Sequence, residues 1–192
     1  MILAAEEIVR SLSGSWELLN RRAEGAARFE VGEQAFWRSF RAPLLAAPAF
    51  IIWLAADRAL DGLRADDVSL FDNPEALAHT GLTFAALWLT LPFLSIALAD
   101  RLRLGAQLTP FIIICNWSSV LAAAMLAVPA LLLAIGWATP ALAALFAVAA
   151  ALLIMQMRWY AARVALGVTA GAAALLATCD ALIGVGLLRL VV

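Results

Sequence analysis

Apolar residues in this chain first follow a helical rhythm and then form long runs. In residues 2–20, Ile8, Leu12, Trp16 and Leu19 recur at spacings of four, four and three, which is one helical face. Glu6, Glu7, Arg10, Ser13 and Glu17 fall largely elsewhere, so the segment reads as an amphipathic helix. Arg21, Arg22, Glu24 and Gly25 mark a polar break. Beyond residue 36 the polar positions gather in short segments. The apolar runs between them reach roughly 20 residues, enough to cross about 30 Å of hydrocarbon at about 1.5 Å per residue. Five spans are predicted, over residues 37–56, 76–99, 108–135, 141–157 and 165–188.

The boundaries carry their own signals. Phe36-Trp37-Arg38 with Phe40 and Arg41 reads as an interfacial collar, since Trp prefers the headgroup level and Arg snorkels there. The clean core of span one, 42–56, is short at about 22 Å. It contains Pro43 and Pro48, so a re-entrant hairpin is the alternative to a full crossing. Residues 57–75 form an Asp-rich loop ending in Asn73-Pro74, a turn and helix-start signal. Its spacing lacks the EF-hand pattern, and it reads as a solvated loop. Pro92 lies inside span two; Asp100, Arg101 and Arg103 close it. Gly136-Trp137-Ala138-Thr139-Pro140 reads as a tight turn. Arg158, Trp159, Tyr160 and Arg163 read as an interfacial loop between spans four and five. The fold class is therefore an all-α polytopic membrane bundle of five transmembrane helices. Residues 1–35 form an N-terminal cytoplasmic or interfacial amphipathic segment, and residues 36–192 form the bundle.

Composition agrees. The chain is 65% hydrophobic and 14% charged, against roughly half and about a quarter in soluble domains. A soluble domain of 192 residues cannot bury that much apolar surface. The net charge of −1 points away from nucleic acid. All 13 basic residues are Arg, which with heavy Ala and Leu usage reads as a GC-rich bacterial genome. No signal-peptide h-region precedes Glu6 and Glu7, so the first span is expected to direct insertion. No lipidation motif is expected. Arg distribution gives an orientation. Arg10, Arg21, Arg22, Arg28, Arg38, Arg41, Arg101, Arg103, Arg158 and Arg163 fall on one side; Arg58, Arg64 and Arg189 fall on the other. By the positive-inside rule the N-terminus is cytoplasmic and the C-terminus periplasmic, in a bacterial inner membrane.

Few residues inside the spans carry chemistry. Asp180 lies in span five, about 12 Å from its outer end. A lone intramembrane acid tends to face the bundle interior with a partner. His79, the sole His, is the expected partner by depth, with Thr80 and Thr178 completing a polar cluster. Such a cluster is a proton, cation or substrate site, or else a structural hydrogen bond. Asn116-Trp117-Ser118-Ser119 in span three is the second signal, with Pro92 and Ser95 of span two in the same half. Asn116, Ser118 and Ser119 line a polar cavity or bond helices together. Gly167-xxx-Gly171 reads as a close-packing motif within the molecule. Gln156 reads as a helix end at the interface, and Cys115 and Cys179 as packing residues. No phosphate-binding loop, nucleophile elbow or His-based metal centre is present in the sequence. No cofactor, metal or catalytic activity is expected.

Entered through Phe36-Trp37-Arg38-Ser39-Phe40 and carrying Asn116-Trp117-Ser118-Ser119 in its third span, the chain resembles a group of small five-span bacterial inner-membrane proteins. In layout it is similar to the Yip1-domain proteins, which also have five spans and a cytosolic N-terminus. For the eukaryotic members that layout implies roles in vesicle traffic and membrane shaping; it implies no functional residue here. Two functions are expected from the sequence. One is a membrane protein acting through partner proteins or self-association, as scaffold, assembly factor or accessory subunit, in contact with membrane lipid. The other is a small transporter or channel-like protein using Asp180 and Asn116.

Overall fold

A computed structural model describes residues 5–61, 74–99 and 105–188 of the chain. Asp66, Asp67, Asp72, Asn73, Arg101, Arg103, Arg189 and the side chain of Thr80 lie outside the described residues. Seven α-helices are described: α1 (Ala5–Leu19), α2 (Glu33–Ser39), α3 (Ala47–Asp61), α4 (Pro74–Ala97), α5 (Leu108–Ala134), α6 (Pro140–Leu166) and α7 (Ala170–Leu188). Short 3-10 turns cover Ala23–Arg28, Ala42–Ala46 and Gly105–Gln107. The described residues contain no strand.

Five segments are long and apolar enough to cross a membrane: Glu33–Ala56, Leu77–Ala97, Gly105–Ala134, Pro140–Leu166 and Ala170–Leu187. The all-α, five-span expectation is therefore met. Span one is α2, a 3-10 turn and α3 in succession. Pro43 sits at the start of that turn, where its missing N–H costs nothing.

The boundary between spans four and five is corrected. α6 does not stop before Arg158 but runs on to Leu166. It ends only where Gly167 takes a left-handed φ of +65°, a conformation cheap for glycine alone. Trp159 and Arg163 are one turn apart on the helix, with the guanidinium 5.5 Å from the ring centroid. The Trp159 indole N–H donates to the Ala170 carbonyl, 3.2 Å away. Aromatic and basic residues that read as a loop are thus decoration on a continuous helix. The 136–140 turn is as expected: Gly136 is left-handed, the Thr139 hydroxyl accepts from Leu142 N–H, and Trp137 is exposed.

α5 is the central rod, touching every other α-helix but α7 through an extended interface. Phe111, Ile113 and Trp117 are fully enclosed on it. α3 and α6 flank it along their lengths, and α7 packs against both α4 and α6. A Cβ added at Gly184 of α7 would lie 3.5 Å from a Leu87 methyl of α4. Gly171 meets nothing within 4 Å and Gly167 makes the turn, so the expected Gly167-xxx-Gly171 packing motif does not pack.

The N-terminal segment shares the core of the bundle. Ile8, Leu12, Leu18 and Phe29 pack with Ile113, Ile114, Trp117 and Tyr160; Leu19 packs with Leu121, Ile154 and Met157. α1 therefore runs parallel to α5 and antiparallel to α6, along their shared end. At 27 residues each, α5 and α6 are about 40 Å long. That exceeds the hydrocarbon thickness by roughly 10 Å.

The inward face of α1 differs from the expected one. Glu7, Ser11, Gly14, Ser15 and Leu18 are buried, whereas Trp16 is 58% exposed. The cause is the chain's tight return. Gly14 and Gly25 oppose each other so closely that a Cβ on either would come within 2.8 Å of the other's carbonyl oxygen. The hairpin turns at Arg21, left-handed at φ +58°. Arg22 N–H donates to Glu17 O and Arg21 N–H to Leu18 O, a Schellman closure. Gln156 donates to the Leu19 carbonyl at 2.9 Å, so it caps α1 rather than merely ending a span. Charge completes the clamp. Arg38 reaches Glu7 at 3.1 Å and Glu30 at 2.8 Å, Arg10 reaches Glu30 at 3.2 Å, and Arg28 reaches Glu17. Arg38 is thus held by two carboxylates instead of snorkelling outward. Hydrogen bonding to Arg38 holds the Glu30 carboxyl below its ordinary range, and Arg28 does the same for Glu17.

Candidate functional site

The α6–α7 hairpin decides what Asp180 meets. The turn at 167–169 is short, so positions equally far from it face each other. Arg158 lies eight residues before the end of α6, and Asp180 ten residues after the start of α7. Arg158 Nη1 donates to Asp180 Oδ2 in a close ion pair. Asp180 is 4% exposed and its second oxygen, Oδ1, has no hydrogen-bond partner. Two charges taken out of water in this way hold only while they are paired.

His79 is not the partner. It is exposed on α4. It lies eight residues along α4 from Leu87, the residue that meets Gly184, and Gly184 is four residues beyond Asp180. That makes roughly 18 Å along the helices. Depth along the chain does not bring them together because α4 and α7 are offset, with Leu94 and Leu98 rather than His79 packed beside Leu176 and Ala173. Thr178 is exposed as well. Read as a loop residue, Arg158 is no candidate partner; within the continuous helix it is one. The usable signal is the hairpin register: a basic residue eleven positions before Thr169 and an acidic residue eleven positions after it.

The second cluster separates into two. Asn116 is fully buried and donates to the Ser39 hydroxyl at 2.9 Å; Ser39 donates to the Phe36 carbonyl at 2.7 Å. This ties α5 to α2, the interhelical alternative of the two read from sequence. Asn116 Oδ1 has no partner. Ser118 donates to the Ile114 carbonyl and Ser119 to that of Cys115, each one turn back on α5. Ser95 bonds locally to the Pro92 carbonyl. Of these residues only Ser119 reaches the space beside Asp180.

That space is a cavity of about 270 Å³. Pro43 and Ala46 of span one, Phe84, Leu87 and Trp88 of α4, and Ala122, Ala123 and Leu126 of α5 form three walls. Ala151, Ile154 and Met155 of α6, with Ala177, Ala181, Gly184 and Val185 of α7, form the rest, and Arg158 and Asp180 form the polar end. Phe50 of α3 closes on Phe84 of α4, ring centroids 5.1 Å apart, on one side. The room comes from small residues facing inward. The Trp88 indole N–H is buried without a partner. An apolar cavity between helices, with few polar groups at one end, is the usual form of a small-molecule site. Among the described residues no group of three His, Cys, Asp or Glu stands together as a metal site would need.

No family model, curated protein or solved structure matches this chain.

Proposed function

We propose that this multi-pass membrane protein binds a small lipid-soluble molecule in the cavity beside Arg158 and Asp180, and works as a small transporter or carrier without catalysing a reaction. One observation carries the reading: a buried ion pair, costly in an apolar surrounding, forms the polar end of a cavity bounded by all five spans. Asn116, expected to share this role, belongs instead to the α5–α2 contact under the same reading. The reading sets the chain in a bacterial inner membrane with its N-terminus in the cytoplasm; the arginine bias supports that orientation.

The test is functional complementation in cells lacking the chromosomal copy. Asp180→Asn removes the charge, and Ala181→Leu fills the cavity while leaving the pair. Both are expected to abolish rescue, and Ala181→Leu, which leaves the ion pair whole, to do so at unchanged membrane abundance. Full rescue by both would sink the reading.

A second reading, action through partner proteins, is supported by Val9 and Trp16, exposed by 65% and 58% on the outward side of α1 between charged residues. Apolar side chains on such a face suit a docking partner as well as the lipid interface. Affinity purification from native membranes discriminates: a stoichiometric partner lost on Trp16→Glu, with rescue indifferent to Asp180→Asn, favours this reading.

A further inference from the structure

Two buried polar atoms of the cavity lining, one acceptor and one donor, have no hydrogen-bond partner. Arg158 takes one oxygen of Asp180; the other has no partner, nor has the indole N–H of Trp88 on the α4 wall. Taken together the pair is neutral. A charged ligand group would have to displace one member or sit uncompensated beside the other, and an unpaired charge in an apolar medium is heavily penalised. A purely apolar ligand would leave Asp180 Oδ1 unsatisfied. A hydroxyl supplies the one hydrogen bond that Asp180 Oδ1 lacks, without bringing a charge.

The route of entry narrows the class further. Leu126, Met155 and Val185 are cavity wall, yet they are exposed by 41%, 36% and 53%. These residues set one wall of the cavity at the apolar flank of the spans, where lipid lies. The remaining walls are apolar, so an occupant contributes an apolar body.

We propose that the cavity binds a neutral, lipid-soluble alcohol entering from the bilayer. Its hydroxyl donates to Asp180 Oδ1 and its hydrocarbon body lies against Leu87, Leu126 and Met155. This rests on the reading of the cavity as a ligand site and adds the class of ligand.

Photolabelling in lipid nanodiscs tests it, with four probes of one diazirine-bearing C16 chain: the alcohol, its methyl ether, the carboxylic acid and the primary amine. The ether keeps the acceptor and loses the donor. The alcohol is expected to label the segments around Leu126 and Met155 about 10-fold more than the ether, the order of one hydrogen bond to a charged group. Unlabelled hexadecanol is expected to compete. In the double variant Arg158→Leu/Asp180→Leu, which substitutes apolar side chains for the pair, the ether should label as before and the advantage of the alcohol should vanish. Equal labelling by alcohol and ether in the native chain, or stronger labelling by acid or amine, overturns the alcohol class while leaving a ligand site in place. Labelling of the cavity segments by none of the four, above that of the outer helix faces, overturns the class and the site together.

Discussion

An aspartate with 4% of its surface accessible among apolar helices is stable as an anion only while a cation sits against it. Arg158 supplies that cation, itself reached by little solvent. Removing one member leaves the other buried and uncompensated, at a cost of about 3–5 kcal/mol, whereas exchanging both for apolar residues of similar size is often neutral. Asp180→Leu and Arg158→Leu are each expected to lower the melting temperature in detergent strongly, and the double variant to recover most of the loss. Additive losses in the double variant would show that the two side chains do not act as a pair. Arg21 makes the opposite kind of case. It holds a left-handed φ of +58° at the end of α1, where an L side chain costs about 1–2 kcal/mol relative to glycine. Arg21 forms none of the ion pairs that clamp the layer. Arg21→Gly is therefore expected to stabilise the chain by about 1 kcal/mol, a rise of about 2–4 °C for a chain of this size. A fall in melting temperature would mean that the Arg21 side chain contributes more than the backbone strain costs.

At the scale of elements, the N-terminal layer is a hairpin held by shape and by charge. Gly14 against Gly25 provides the shape; Glu7, Glu30, Arg10 and Arg38 provide one charge cluster, and Glu17 with Arg28 the other. Arg38 bonding to Glu30 and Arg28 bonding to Glu17 lower both carboxyls below the ordinary value of 4.5. Groups with depressed folded values stabilise fully above the unfolded value, and that contribution is lost as pH falls through the folded one. The layer is thus expected to hold unchanged from pH 7 to 5 and to loosen below about pH 4.5. Glu17 and Glu30 are close enough to solvent that salt should weaken the effect. Amide exchange across residues 5–30, compared at pH 6 and pH 3.5 after correction for intrinsic rates, reads it directly. Equal protection at both would show that packing alone holds the layer. This hairpin was only partly legible in the sequence. The 3.6-residue period revealed the helix, but it pointed to Trp16 as inward because period measures hydrophobicity and not fit. The backbone's close return admits only small residues, and Gly14, Ser11 and Ser15 carry no hydrophobic signal.

For the whole molecule, the number of spans was legible because hydrocarbon thickness sets a length that few polar residues interrupt. The end of α6 was not, because Trp159, Tyr160 and Arg163 give the same interfacial signature on a helix as in a loop, and Gly167 gives the stop only through its conformation. That error also hid Arg158 from Asp180. It bears on orientation too, since Arg158 is taken up by an intramembrane pair and no longer counts as a free cytoplasmic charge. Nine of the ten arginines on the N-terminal side remain, against Arg58, Arg64 and Arg189 opposite, so the bias survives the correction. The orientation is then a prediction for the assembled bundle. Neither native cysteine should interfere, as Cys115 is buried and Cys179 lies within α7. A cysteine introduced at exposed Trp137, in the turn between α5 and α6, is expected to react with an impermeant maleimide added to intact cells. A cysteine at exposed Asn20, beside the α1 hairpin, is expected to react only after the membrane is opened. The pair of positions makes the outcome decisive, because an even number of spans between them would label both alike and an inverted chain would exchange the two results.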